Sequence, residues 1–150
     1  MDRILVGVDA SSASVEALRT AADEARRHDA ALEVVYVFGP PAQVAAFPVL
    51  PERGSDRPDV EAERAKANER LGAWLEEIDV DLDGIKVEWN VLADPRTASA
   101  LVDRSSSADL VVVGARGRGG FKGLRLGSVS EQVVRHADAP VLVVRESTRK

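Results

Sequence analysis

The chain has 150 residues, a formal net charge of −5, a pI near 5.1 and no cysteine. Its length and its hydrophobic content of 45% predict one domain, residues 1–150, with a sizeable core. The lack of cysteine excludes disulfides, thiolate metal sites and thiol nucleophiles. The acidic balance and an aromatic content of 4% argue against nucleic acid as a partner.

Targeting signals are not evident in the sequence. The amino terminus enters an apolar segment at once and shows no signal-peptide pattern. No apolar run approaches the roughly 18 residues that a membrane helix needs. We therefore expect a cytoplasmic protein with no membrane partner.

The first half of the chain alternates apolar segments with helical periodicity. Strand one covers residues 4–8, a helix follows, and strand two covers residues 32–38. Residues 39–58 hold five of the seven prolines and no clear period, which predicts a long loop. The spacing of Leu71, Trp74, Leu75 and Ile78 predicts the buried face of helix two. In residues 85–91 apolar and polar residues alternate, which predicts a half-exposed strand three.

The second half continues the alternation. Asp94 suits the N-cap of helix three and Pro95 its first position. Strand four is Leu110–Gly114, helix four covers residues 128–137, and strand five is Val141–Val144. Five strands and four helices predict a single-domain, Rossmann-like α/β fold, an open parallel sheet with helices on both faces. Ligands bind such sheets where the strand order reverses, and we infer the order 3-2-1-4-5 with the reversal between strands one and four.

A glycine-rich segment between strand four and helix four predicts an anion site. Gly114, Gly117, Gly127 and Ser128 form the spacing G-x2-G-x9-G-S, which matches neither a P-loop nor the dinucleotide fingerprint. Glycines let backbone N–H groups approach a phosphate, and a helix N-terminus adds unpaired donors. The segment contains no acidic residue but four cations, which are solvated charges or aids to nucleotide binding: Arg116, Arg118, Lys122 and Arg125.

Three polar residues allow a structural and a functional interpretation. Ser128 with Glu131 matches a capping box, which alone explains the serine, although a phosphate could replace the cap. Ser130 lies in the same turn, and we expect its N–H or hydroxyl to reach a phosphate oxygen. Asp9 follows strand one, where a carboxylate binds a ribose hydroxyl or a phosphate-bound metal ion, or simply forms a turn or a helix cap. The two histidines lie at helix ends and suggest no metal site.

The glycine spacing resembles the nucleotide-binding signature of the universal stress protein family, and the likeness extends from residue 4 to residue 144. It includes Val8-Asp9, the run at 34–37 and Asp94-Pro95. The resemblance implies ATP as ligand, with Mg²⁺ or Mn²⁺ bound through the phosphates, and the backbone of Val37 at the adenine. The other implied binding residues are Gly7, Val8, Asp9, Val113, Gly114, Gly117, Gly127, Ser128, Val129 and Ser130.

The expected function is that of a nucleotide-dependent regulatory protein in the stress response. Strand five is apolar throughout and lies at an edge, so pairing of two copies through Val141–Val144 would cover it. The resemblance also implies this homodimer. No acid–base pair lies near the loop, which leaves at most slow ATP hydrolysis. Two alternatives stay open: a dimeric interaction module without nucleotide, and a nucleotidyl-transfer enzyme of related fold.

Overall fold

The computed structural model describes residues 1–38, 60–115 and 126–146. The predicted loop at 39–58 lies outside these ranges. In chain order the elements are β1 (Arg3–Val8), α1 (Ser12–His28), β2 (Ala31–Phe38), α2 (Val60–Glu77), β3 (Val87–Ala93), α3 (Thr97–Ser105), β4 (Leu110–Gly114), α4 (Ser128–His136) and β5 (Val141–Val144).

The sheet has five parallel strands in the order β3-β2-β1-β4-β5, which confirms the predicted topology. The β1 strand lies at its centre, with Val6 opposite Val34 of β2 and Val112 of β4. All three valines are fully buried. Branched apolar side chains at consecutive positions fit a strand that is covered on both faces.

The described helices cover the sheet from both sides, as expected. The α1 and α2 helices pack on the face of Val6, Val34 and Val112, where Leu71 and Trp74 supply the predicted inner face of α2. The α3 and α4 helices pack on the opposite face, with Leu101 and Val133 as buried contacts. Within the described residues, no helix combines the length and the apolar character that a membrane span requires.

The start of α3 differs from the sequence expectation. The helix begins at Thr97 and its N-cap is Arg96, so Asp94 and Pro95 precede it. The N–H of Asp94 bonds to the carbonyl of Phe38 at 3.0 Å, and its carboxylate accepts the N–H of Arg96 at 2.8 Å. Asp94 therefore continues the edge of β3 and forms an Asx turn instead of capping the helix. A residue before proline also avoids the helical region.

The β5 strand occupies the predicted edge position, and its four side chains are half-buried instead of fully buried. The carbonyls of Pro140 and Val144 accept bonds from β4. The backbone N–H and C=O groups of successive residues in a strand point to alternate sides. The N–H groups of Val141 and Val143 therefore point away from β4. Among the described residues β5 has no neighbour on this side, so the edge presents backbone donors and acceptors to a further strand.

A buried carboxylate ties the opposite, amino-terminal end of the sheet together. Glu33 of β2 is 1% exposed, although the sequence around it is an apolar run. Its Oε2 accepts hydrogen bonds from Arg3 at 2.7 and 3.1 Å, and its Oε1 accepts from Asn90 at 2.8 Å. Arg104, at the end of α3, donates to the same Oε1. Burial raises the pKa of Glu33, but the hydrogen bonds and charges of Arg3 and Arg104 outweigh it, so the pKa lies below its ordinary value.

Replacement of Glu33 by Gln should lower the free energy of unfolding by about 2 kcal/mol at neutral pH, because the guanidinium groups of Arg3 and Arg104 lose their pairing with this buried anion but remain partly hydrated. Since the folded-state pKa is lowered, the contribution of Glu33 is complete above its unfolded pKa of about 4.3 and is lost as the pH falls toward the folded value. Denaturant titrations of both proteins between about pH 3 and 7 measure this difference.

Glu88→Gln is the control: Glu88 also bonds to Arg3 but is 38% exposed, so its loss should cost less than about 1 kcal/mol. A difference between wild type and Glu33→Gln that does not shrink in acid would contradict this account.

Candidate functional site

A crevice is expected where β1 and β4 end side by side, because ligands bind open α/β sheets where the strand order reverses. The paired positions of these strands run from Ile4–Leu110 to Val6–Val112, and each strand continues for two residues beyond the last pair. The α1 helix then leaves β1 on one face of the sheet, and α4 follows β4 on the other. The carboxyl ends of the central strands and the N-termini of α1 and α4 therefore lie at one edge of the sheet, the position that binds ligands in open α/β sheets.

One wall of the crevice is a hydrogen-bonded turn at the end of β1. The Oδ1 atom of Asp9 accepts the N–H of Ser11 at 2.9 Å and the hydroxyl of Ser14 at 2.6 Å. Ser11 is the N-cap of α1, and its side chain accepts the N–H of Ser14. Between them Ala10 has a φ of 63°, a left-handed conformation that is unfavourable for a residue with a Cβ. The turn thus holds Asp9 at the edge of the opening.

The opposite wall joins the end of β4 to the start of α4. The carbonyl of Ala115 accepts the N–H of Gly127 at 2.7 Å and lies 2.9 Å from the hydroxyl of Ser130. Ser130 is 3% exposed, and its hydroxyl also lies within hydrogen-bond distance of the Gly127 carbonyl. These contacts fix both ends of the glycine-rich segment. They occupy the Ser130 hydroxyl, which together with the Ser130 N–H was one of two groups predicted to reach a phosphate oxygen.

The predicted capping box at Ser128 is wrong. Gly127 is the N-cap of α4, in an extended conformation, and Ser128 is already helical and exposed. The first bond of the helix runs from the N–H of Glu131 to the Gly127 carbonyl at 2.9 Å. Since the N–H of Gly127 is bonded to Ala115, it offers Glu131 no donor, and the Glu131 carboxylate pairs with Arg135 instead. The hydroxyl of Ser128 therefore has no capping role.

The remaining predicted residues lie on β1, β2, β4 and α4, and their side chains divide between the faces of the sheet. Val8 and Val113 have buried side chains in the two opposite core clusters, so only their backbone is available to a ligand. Val37 lies near the end of β2 and packs against the second cluster. A Cβ on Gly114 would lie 3.4 Å from the carbonyl oxygen of Ala13, so the first turn of α1 approaches β4 closely. Val129, at the second helical position of α4, packs partly on the core.

Part of the predicted site lies outside the described residues. This part comprises Gly117 and the four cations of the glycine-rich segment, Arg116, Arg118, Lys122 and Arg125.

Sequence reasoning missed Ser14 and Ala115. Ser14 lies third in a helix whose buried face is otherwise small and apolar, and its spacing of five residues from Asp9 was a usable signal. Ala115 acts through its backbone carbonyl, which the side chain does not reveal.

An open, doubly wound α/β sheet with a crevice at the reversal of strand order defines the class of this protein. The model of the universal stress protein family matches residues 1–145, and the chain belongs to that family.

Relatives agree with this assignment. A universal stress protein of Mycobacterium tuberculosis is 41% identical over 146 residues, which cover 96% of this chain and 45% of the relative. The chain thus spans about half the length of the curated relatives it matches. A universal stress protein crystallised with cAMP is 26% identical with a TM-score of 0.60, covering 97% of this chain and 98% of its own. A universal stress protein of Lactobacillus plantarum, 24% identical with a TM-score of 0.66, has the same fold and covers 96% of this chain and 97% of its own.

Gly7 has a packing role that its position in the crevice does not suggest. An added Cβ would lie 2.9 Å from Cδ1 of Leu101, which is buried on α3. Gly7→Ala should therefore lower the free energy of unfolding by about 1–3 kcal/mol, as overpacking does. In a Leu101→Ala background, where that contact is absent, the same substitution should cost at least about 0.5 kcal/mol less. Denaturant unfolding of the four proteins measures this coupling.

Gly72→Ala is the matched control, because a Cβ on Gly72, within α2, would meet no atom within 4 Å. It should stabilise the protein by about 0.5–1 kcal/mol through helix propensity. Equal costs of Gly7→Ala in both backgrounds would refute the packing role of this glycine.

Proposed function

We propose that the chain binds an adenine nucleotide, with ATP as the expected ligand, in the crevice between β1 and β4. The observation that carries this proposal is that the Asp9 turn and the first turn of α4 follow the ends of two adjacent strands, β1 and β4. The family relative crystallised with cAMP supports the choice of an adenine nucleotide.

The α4 N-terminus supplies the phosphate donors in this proposal. Its first intrahelical bond starts at Glu131, so the N–H groups of Ser128, Val129 and Ser130 precede the helical ladder. Such groups and the helix dipole favour an anion. Gly127, the N-cap residue before these three, has no Cβ that would obstruct a phosphate. The glycine-rich segment adds positive charge to an otherwise acidic chain.

The Asp9 turn supplies the complementary group. A carboxylate at the end of β1 can accept a hydrogen bond from a ribose hydroxyl, or bind Mg²⁺ or Mn²⁺ carried by the phosphates. Both interactions need a carboxylate oxygen, which Asp9 supplies. Bound nucleotide would then contact β1 and α4 together, and its occupancy would regulate the contacts that the protein makes with partners.

A second candidate is an interaction module that binds no nucleotide. It is favoured by the bonds that Ala115 accepts, since the N–H of Gly127 and the hydroxyl of Ser130 are already satisfied within the protein.

Titration calorimetry with ATP, ADP and cAMP, in the presence of Mg²⁺ and then Mn²⁺, separates the two candidates. Ser128→Ala should weaken ATP binding about fivefold, because the exposed hydroxyl at the start of α4 would lose a phosphate contact. Its stability should change by less than about 0.5 kcal/mol, since Ser128 caps nothing.

Ser107→Ala is the matched control. Ser107 is also an exposed serine at a helix end, but it precedes β4 at the opposite edge of the sheet, so its loss should leave affinity unchanged. Absence of binding by every nucleotide would favour the interaction module. Binding that is unaffected in Ser128→Ala would refute the assignment of this serine.

We further propose that two copies pair through β5. Val143→Pro removes a backbone N–H that points away from β4, so it blocks pairing at the open edge and keeps the ladder to β4. Sedimentation should show a dimer for the wild type and a monomer for the variant. Val143→Ile is the control and should remain dimeric. A wild type that is monomeric at high concentration, or a folded variant that stays dimeric, would exclude this interface.

A further inference from the structure

Ser14 is a buried polar residue for which helix formation gives no reason. It is 4% exposed, whereas its neighbours on the buried face of α1 are apolar: Ala13, Ala17, Leu18, Ala21 and Ala22. A serine inside a helix usually faces solvent or bonds to a carbonyl one turn earlier. The hydroxyl of Ser14 instead bonds to Asp9, which lies before the helix. The N-cap itself is provided by Ser11.

The contact between Ser14 and Asp9 has two points of attachment. The Ser14 hydroxyl donates to Oδ1 of Asp9 at 2.6 Å and accepts the backbone N–H of Asp9 at 2.8 Å. One bond fixes the carboxylate and the other fixes the main chain that carries it. Rotation of the Asp9 side chain about its Cα–Cβ bond would break the first bond while the second holds the backbone in place.

The backbone between Asp9 and Ser14 is strained at Ala10. Ala10 adopts a φ of 63°, which costs about 1 kcal/mol or more for a residue with a Cβ. Such a conformation persists only where surrounding contacts require it. Here the bonds of Ser11 and Ser14 to Asp9 span Ala10 and hold the turn closed.

We propose that Ser14 is a positioning residue of the nucleotide site, which holds the Asp9 carboxylate in a single orientation at the edge of the crevice. This inference rests on the proposed nucleotide binding. A carboxylate held in place before binding loses little rotational freedom when a ribose hydroxyl or a phosphate-bound cation meets it. Ser14 is buried beneath that carboxylate and acts on the ligand through Asp9.

Three substitutions at one position separate the hydrogen bond from packing. Ser14→Ala should weaken ATP binding about tenfold, which corresponds to the loss of one hydrogen bond to a charged group. Ser14→Cys keeps the volume but is a weak donor, so it should lose a similar factor. Ser14→Thr keeps the hydroxyl and should restore affinity to within about threefold of the wild type. Equal affinity in all three variants and the wild type would overturn the proposal.

A second set of variants tests whether Ser14 acts through Asp9. Asp9→Ala should weaken binding at least as much as Ser14→Ala, and the double variant should bind no more weakly than Asp9→Ala alone. A further loss in the double variant would show that Ser14 acts independently of Asp9 and would overturn the proposal. Ser105→Ala is the control, since it removes an equally buried hydroxyl that bonds to Val102 and Asp138 on the far side of the fold. It should lower stability but leave affinity unchanged.

Amide hydrogen exchange in the ligand-free protein distinguishes failure of this inference from failure of the proposed function. In Ser14→Ala the N–H of Asp9 loses its acceptor, and its exchange should accelerate at least about tenfold; Ser14→Thr should keep it slow. If these rates change as expected but no variant binds nucleotide, the turn exists and the proposed function is wrong. If nucleotide binds and the Asp9 amide exchanges equally in all proteins, Ser14 does not hold the turn and the inference is wrong.

Discussion

The parallel pairing of β1 with β4 is the constraint on which the rest of the structure depends. In a parallel sheet every strand ends at the same edge, so every following helix begins there. Because β1 leads to α1 on one face and β4 leads to α4 on the other, the two helices lie on opposite sides of this sheet edge. A crevice is expected at such a reversal, and it follows from the order of the strands.

The two ends of the sheet use polar groups in opposite ways. At the amino-terminal edge, Glu33 is buried and its two oxygens are occupied by Arg3, Asn90 and Arg104. This cluster joins β1, β2, β3 and the end of α3, and the low pKa of Glu33 reflects that saturation. At the carboxyl-terminal edge, Asp9 is held by the first turn of α1, and the chain forms a strained turn to place it there. The saturated network holds strands together, whereas the strained turn fixes the orientation of a single carboxylate.

Sequence periodicity predicted the two faces and the bounds of β4 and β5, because these follow from apolar pattern and chain direction. The strand order was inferred from the polar and glycine residues that follow strands one and four, and it is confirmed. Details that depend on backbone bonds were not predictable in this way. Asp94 and Ser128 are both residue types that commonly cap helices. Asp94, however, bonds through its N–H to the end of β2, and Gly127, just before Ser128, bonds to the residue after β4. Each helix therefore has a different N-cap residue from the one predicted. Glu33 was concealed in an apolar run, since its partners at positions 3, 90 and 104 are distant in sequence. Only the folded sheet brings those charges together.

The hydrogen bonds to the Ala115 carbonyl also affect the entropy that a nucleotide would lose on binding at this site. The glycine-rich segment begins after Ala115 and ends at Gly127, and these residues are bonded to each other at 2.7 Å. The entropy of closing that segment is therefore lost during folding, when β4 and α4 pack on the core, and it is not lost again on binding. Ser130 adds to this closure from within α4, because its buried hydroxyl lies 2.9 Å from the Ala115 carbonyl. The N–H groups at the start of α4 are held in place by the same contacts.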